Sequence, residues 1–305
     1  MTPQAGILAE GKRHAYFMIF KFKPRFSPAR ILRTIRDIDL LANVIEKSDA
    51  ESGLHCVFGF GSKAWDRMSP GKRPKGLHPF KAIRKGTRVA PSTGGDLFLH
   101  IASDRHDLNF ELARKAANQL RPYVSSVEEV HGFRYLDSRD LTGFIDGTEN
   151  PKGKGREEAA IIGPDDPDFA GGSYVAIQRY VHKLDKWEKL KTEDQEKVIG
   201  RTKSDSVALP EEKKPPTSHI GRVVIEENGE ELQILRQSYP YGNSRESGLF
   251  FVAYTKSLGT FERMLSNMMG TSGDGLYDHL MGYTEARTGA TFFIPSRELL
   301  SGISS

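Results

Sequence analysis

Apolar positions alternate along this chain between unbroken short runs and a helical spacing, and the alternation marks out elements. Residues 14–22 carry Tyr16, Phe17, Met18, Ile19, Phe20 and Phe22 almost without interruption, the pattern of a strand buried on both faces. Ser27-Pro28 then supplies an N-cap and a first-turn proline. Behind it Ile31, Leu32, Ile35, Ile38, Leu41 and Ile45 recur every three or four residues, which predicts a helix running to about Lys47. Further strands are predicted over 55–60, 96–102 and 126–136, with a helix over 110–120 whose Leu112, Ala116 and Leu120 share one side. The order β-α-β-β-α-β is that of a ferredoxin-like unit.

The second half repeats this order more weakly. Strands are predicted over 173–182, 231–238, 249–255 and 290–295, the middle two joined through a turn at Pro240-Tyr241-Gly242-Asn243. A charged stretch over 187–199 reads as a helix, and Phe261, Met264, Leu265 and Met268 place another over 261–269. Residues 201–217, rich in proline and charge, read as an irregular excursion, and 152–156 as a linker. The fold class expected is therefore α+β: two tandem ferredoxin-like domains, 1–151 and 152–305, each an antiparallel sheet packed with helices.

Composition narrows the function. Forty-four basic against 40 acidic side chains leave a net charge of only +4, and the densest basic clusters, around Lys72-Arg73-Pro74-Lys75 and Lys213-Lys214, lie in Pro/Gly-rich loops, so no nucleic-acid surface is expected. The single cysteine, Cys56, excludes an internal disulfide framework, and its apolar surroundings suit a buried thiol. One cysteine and no His-x-x-His spacing leave no zinc motif. No run of eighteen apolar residues spans a membrane, and Met1 to Gly11 has no export-signal pattern, so a cytoplasmic protein is expected.

Candidate chemistry concentrates in four places. Gly143-Phe-Ile-Asp-Gly-Thr-Glu-Asn-Pro151 sets one carboxylate, Asp146, between glycines that let a flat ligand approach the main chain; an ordinary Asp-Gly turn is the alternative. Ser218-His219-Ile220-Gly221-Arg222 puts a histidine just after the Pro215-Pro216 break, where it could face a cavity or simply fill a structural place. Arg236-Gln237-Ser238 lies on a predicted strand, with Arg236 and Ser238 on one face among Leu232, Ile234 and Leu235. An arginine buried there needs an anion. Phe250-Phe251, Phe261, Met264 and Leu265 add an apolar surface, or ordinary core. An axial imidazole, an apolar slot, a proton-moving acid and a fixed cation are together what a haem used for peroxide chemistry requires.

These motifs, with Arg-Gln-Ser-Tyr-Pro-Tyr-Gly and the closing Thr-Gly-Ala-Thr-Phe-Phe-Ile-Pro-Ser, run in order through nearly the whole chain. In them the chain resembles the dye-decolourising (DyP-type) haem peroxidases, in particular their compact cytoplasmic bacterial branch. The resemblance implies ferredoxin-like domains of the dimeric α/β-barrel kind and one haem b per chain, held mostly by the C-terminal half. It implies His219 as the proximal iron ligand, Asp146 and Arg236 as distal acid and cation, and Ser238 as a polar distal neighbour. Asp278 best fits the acidic partner of the proximal imidazole, with Asp274 and Glu285 as competitors. Gly147, Thr148, Glu149 and Asn150 are expected along the haem edge, and Phe251 against the cofactor. The implied reaction moves a proton between the oxygens of hydrogen peroxide through Asp146, stabilises the developing charge with Arg236, and oxidises dye-like or phenolic donors one electron at a time, favoured at acidic pH. Surface Tyr or Trp residues would relay electrons from bulky donors. A homo-oligomer is expected. Packaging into a protein nanocompartment is not, because the chain stops at Ile303-Ser304-Ser305. A non-catalytic haem-binding or haem-iron-handling protein would use the same His219 and slot. The pairing of Asp146 with Arg236 favours the peroxidase, since a carrier needs no proton shuttle. A ferredoxin-like binding protein without cofactor is a second alternative, which the colour of the purified protein would settle.

Overall fold

In the computed structural model, which describes residues 1–303 and leaves Ser304 and Ser305 outside the described residues, ten strands form one mixed-order antiparallel sheet. They are β1 (His14–Phe22), β2 (His55–Phe60), β3 (Leu97–Ser103), β4 (Val124–Phe133), β5 (Ser173–His182), β6 (Leu235–Arg236), β7 (Tyr239–Gly242), β8 (Ser247–Thr255), β9 (Thr284–Ala286) and β10 (Ala290–Ile294). The spatial order is β6-β8-β7-β4-β1-β3-β2-β10-β5-β9, and a further pairing of β8 with β5 closes eight of them into a barrel. Where two separate sheets were expected, the halves are joined at two seams. Each seam carries a single residue pair, Tyr241 with Gly132 and Phe293 with Phe60. Gln4 clasps the second seam: its side chain donates to the carbonyls of Phe58 and Pro295 and accepts from the Phe58 N–H.

Alternation sorts side chains to the two sides of the barrel wall. Phe17, Phe98, Val175, Phe250, Tyr254 and Phe292 fill the interior. On the outer face of the first half, Tyr16, Met18, Phe20 and Phe58 meet Ile31, Ile35 and Leu112 from two helices, α1 (Pro28–Ser48) and α2 (His106–Leu120). This double burial is why β1 reads as a continuous apolar run. The Ser27 hydroxyl caps α1 by accepting from Arg30 N at 3.5 Å.

The outer face of the second half is covered differently. One full helix, α4 (Leu258–Met269), packs there through Phe261, Leu265 and Met269. A five-residue helix, α3 (His219–Val223), lies against it. The predicted helix over 187–199 is two short pieces, Leu184–Trp187 and Thr192–Ile199, with the Gln195 amide and the Leu190 N–H both donating to the Trp187 carbonyl between them. The predicted strand over 231–238 shortens to β6, and Pro240-Tyr241-Gly242 lie within β7, so the turn falls three residues later, at Asn243 to Glu246, where Asn243 N donates to Glu246 O. Among the described residues no helix is long and apolar enough to cross a membrane.

Candidate active site

The incomplete cover over the second half leaves a cleft of about 1340 Å³ of atom-free space, mouth included, whose walls are mostly apolar. Leu232, Ile234, Phe261, Met264 and Met268 supply much of that surface, and of the expected site residues Asp146, Thr148, Glu149, His219, Arg236 and Phe251 line it.

His219 reaches the cleft because the chain turns sharply into α3. Ser218 caps this helix, its hydroxyl accepting from Gly221 N at 3.2 Å. A Cβ at Gly221 would stand 2.9 Å from that hydroxyl and 3.0 Å from the Pro215 carbonyl, so only glycine fits. Arg222 then pins α3 to α4, donating to the Asn267 carbonyl and, at 2.7 Å, to Asp274. Asp274 is thereby engaged elsewhere, Glu285 pairs with Arg287, and it is Asp278 that meets His219, with Nδ1 and Oδ2 2.6 Å apart. Asp278 is fully buried, and its other oxygen accepts from Leu280 N at 2.8 Å. A carboxylate can only accept here, so this contact takes a proton on Nδ1 and leaves Nε2 as the ring nitrogen not committed to Asp278.

Asp146 sits on the loop that follows β4. Gly147, at φ +80°, lets its own N–H turn back and donate to Asp146 Oδ1 at 2.8 Å, in a conformation most side chains avoid. The same oxygen accepts from Arg236 Nη1 at 3.1 Å, and both side chains are about four-fifths buried. Arg236 is held from behind. The Asn150 side chain donates to its carbonyl at 2.8 Å and accepts from its N–H at 2.9 Å, imitating a strand partner. Acid and cation are thus fixed to each other by side chains and by backbone.

Three expected site residues are placed elsewhere. Gly147, Asn150 and Ser238 line a second cavity that shares Asp146 and Arg236 with the cleft. β6 ends at Arg236, so the two-residue alternation does not carry to Ser238, whose hydroxyl accepts from Val252 N at 3.2 Å. Two groups in the cleft were not anticipated. Along β5, Gln178, Tyr180 and His182 alternate onto the cleft face. His182 lies 3.0 Å from Asp140 and 2.8 Å from the Thr284 hydroxyl. Burial alone would raise the Asp140 pKa, but His182 and the Thr142 hydroxyl and N–H hold it below the ordinary carboxylate value. The signal was present as a period-two run of polar residues in a buried strand. Arg201, from the predicted irregular excursion, also lines the cleft and pairs with Glu149. The buried Gln178 Nε2 finds no partner among the described residues. Such an orphaned donor beside an apolar cleft marks a place for a ligand acceptor.

The comparisons with known proteins agree across the whole length. Residues 4–134 match the family Dyp-type peroxidase, N-terminal, and residues 137–299 match Dyp-type peroxidase, C-terminal. The chain belongs to the Dyp-type peroxidase family. It is 42% identical over 289 residues to a dye-decolorizing peroxidase of Rhodococcus erythropolis, covering 94% of this chain and 84% of that protein. A dye-decolorizing protein from V. cholerae superposes with a TM-score of 0.91 at 42% identity, over 97% of this chain and 98% of that one. A DypB variant from Rhodococcus jostii, solved in complex with heme, gives 0.95 at 40% identity, over 99% and 98%. This Dyp-type peroxidase is therefore an oxidoreductase enzyme, and the geometry can be read for how it works.

Proposed function

We propose that the protein is a haem-dependent peroxidase that reduces hydrogen peroxide and oxidises dye-like or phenolic donors one electron at a time. One observation carries the reading: an acid and a cation fixed to each other, Asp146 and Arg236, line the same apolar cleft as an imidazole whose far nitrogen is committed to a buried carboxylate. A bound haem supplies the redox chemistry, taking oxidising equivalents from peroxide and passing them on. Haem b, one per chain, fits the residues present: His219 would hold the iron, Phe251 and the α4 side chains would supply apolar contact, Arg201 would pair with its carboxylates, and the Gln178 amide would offer a donor.

The side chains do the rest. Asp146 accepts a proton from peroxide on one oxygen and returns it to the departing one. Arg236 neutralises the charge that grows as the O–O bond opens. Gly147 and Asn150 act as positioning residues, one aiming the carboxylate and the other the arginine backbone. Asp278 orients His219 and gives it anionic character, so it pushes electron density toward a bound metal. Ser238 contributes to the second cavity beside the acid. The order of strands supports reading residues 1–151 and 152–305 as two ferredoxin-like units that share one barrel. A homo-oligomer in the cytoplasm completes the proposal.

The test is one visible spectrum of haem-reconstituted protein, before and after hydrogen peroxide. The proposal expects a haem band that changes on peroxide addition and returns when a dye is oxidised. A band that ignores peroxide, with iron-free porphyrin accumulating instead, would favour a haem-handling protein.

A further inference from the structure

A second set of aromatic and titratable groups lies on the other side of the barrel wall, and the reaction proposed above does not use it. Inside the barrel, the Tyr254 hydroxyl of β8 and Nδ1 of His100 in β3 are 2.9 Å apart, and both residues are fully buried. Phe17 sits with its ring 4.7 Å from that of His100 and 4.3 Å from that of Phe250. The second nitrogen of His100, Nε2, is buried without a partner, and so is Nε2 of His55, whose ring crosses that of His100 at 6.1 Å.

Such groups are rarely left unpaired in a core, because each forfeits the hydrogen bond it would make in water. Burial, with His55 adding to it, pushes the His100 pKa well below its ordinary value, so the ring is neutral. A neutral ring protonated at Nε2 offers its Nδ1 lone pair to the phenol. A phenylalanine at 254 would fill the same space, so packing alone does not ask for this arrangement.

Tyr254 is also close to the site through the sheet. Arg236 pairs with Ala253 and Leu235 with Tyr254 across β6 and β8, and Phe251, three residues earlier on β8, lines the cleft. Alternation then turns Ala253 to the cleft side of the wall and Tyr254 to the interior. Other tyrosines lack one of these features. Tyr180 donates to the Gln178 amide oxygen, and the Tyr239 hydroxyl accepts from Lys12 N, so neither faces a basic nitrogen. Tyr16 does face one, His106 at 3.1 Å, but it belongs to β1, three places from β8 in the sheet.

We propose that Tyr254 is an internal one-electron redox site, with His100 as its proton acceptor. The inference rests on the haem peroxidase reading. The phenol O–H bond breaks: one electron goes to the cofactor after peroxide has oxidised it, and the proton goes to Nδ1 of His100. The cofactor is reduced by one electron, and a neutral phenoxyl radical is left beside an imidazolium. An oxidised phenol is so strong an acid that it yields its proton even to a weakly basic ring. Because the buried imidazolium has no anion to keep it, the proton returns as soon as an electron does. The barrel thus stores one oxidising equivalent away from solvent while a donor is awaited.

Rapid-freeze electron paramagnetic resonance of the haem-loaded protein, mixed with hydrogen peroxide and no donor, tests this. A tyrosyl radical is expected in the parent protein, lost in Tyr254→Phe, and given fluorine splittings when a difluorotyrosine is incorporated at position 254. In heavy water, a coupled exchangeable deuteron should appear in the parent and vanish in His100→Phe. A radical of undiminished size in Tyr254→Phe, or one removed by Tyr16→Phe instead, overturns the assignment. The haem band of the parent sample separates the two ideas. If peroxide leaves that band unchanged, the peroxidase reading itself fails; if the band responds but the Tyr254 signal is missing, only this inference fails.

Discussion

The two outer faces of the barrel are built on the same plan and end differently. Over the first half, α1 and α2 lie side by side and seal the sheet, so Tyr16, Met18, Phe20 and Phe58 are at most 1% exposed. Over the second half, α4 has no long companion among the described residues. The place of a second helix is taken by short pieces, Leu184–Trp187, Thr192–Ile199 and α3, which leave the β5 and β8 side chains facing a cleft. What differs is the cover rather than the sheet. A sealed face contributes stability, whereas an unsealed one gives up some burial and gains a site with apolar walls and a few fixed polar groups.

That contrast can be broken in order of expected effect. His219→Ala removes the imidazole that the open face presents, and haem retention should be lost; an unchanged Soret absorbance in the purified variant would sink the ligand assignment. Arg236→Leu should keep haem but slow the reaction with peroxide by about 10²–10³-fold, the usual cost of removing one charge-stabilising donor; stopped-flow mixing reads this, and an unaltered rate would show that the arginine is not the essential cation. On the sealed face, Ile35→Ala should cost about 2–5 kcal/mol, a fully buried aliphatic side chain being cut to a methyl. Denaturant unfolding would record that loss, with haem affinity unchanged. Phe251→Ala, on the open face, should do the reverse, weakening haem retention more than stability.

The smallest effect concerns the pair at the cleft wall. Asp140 has a folded-state pKa below its ordinary 3.8. A lowered folded pKa contributes stability above the ordinary value, and the contribution disappears as the pH falls below it. Asp140→Asn should therefore cost about 2 kcal/mol near neutrality, the scale of a charge-assisted hydrogen bond. The melting curves of parent and variant should converge as the pH falls below 3.8. Curves that stay parallel at all pH values would mean that the carboxylate charge is irrelevant.

Local pattern made the elements legible where both faces of a strand are buried. His14–Phe22, His55–Phe60 and Ser173–His182 have the bounds that their apolar runs predict. The closure of the barrel was not legible. Each seam rests on one residue pair between strands far apart in sequence, and no local signal encodes such a pairing. β6 was overextended for a related reason: leucines and isoleucines at 232–235 look like a strand, but Leu232 and Ile234 are apolar because they wall the cleft. Asp146, His219 and Arg236 stood out by their flanking glycines, prolines and polar residues. The Asp140–His182 contact spans 42 residues and could be seen only once β5 and the loop after β4 were folded together.

The circular sheet has a consequence for how the chain can be divided. Because β7 meets β4 and β10 meets β2, every barrel strand has a neighbour on each side, and among the described strands of this sheet just the short flanking β6 and β9 keep an outer border. Severing the protein after residue 151 would uncover raw strand borders on both fragments, long and apolar on the β2 side, which are ready templates for clumping. The halves are companions in solubility: expressed alone each should precipitate, and mixed during refolding they should rescue one another.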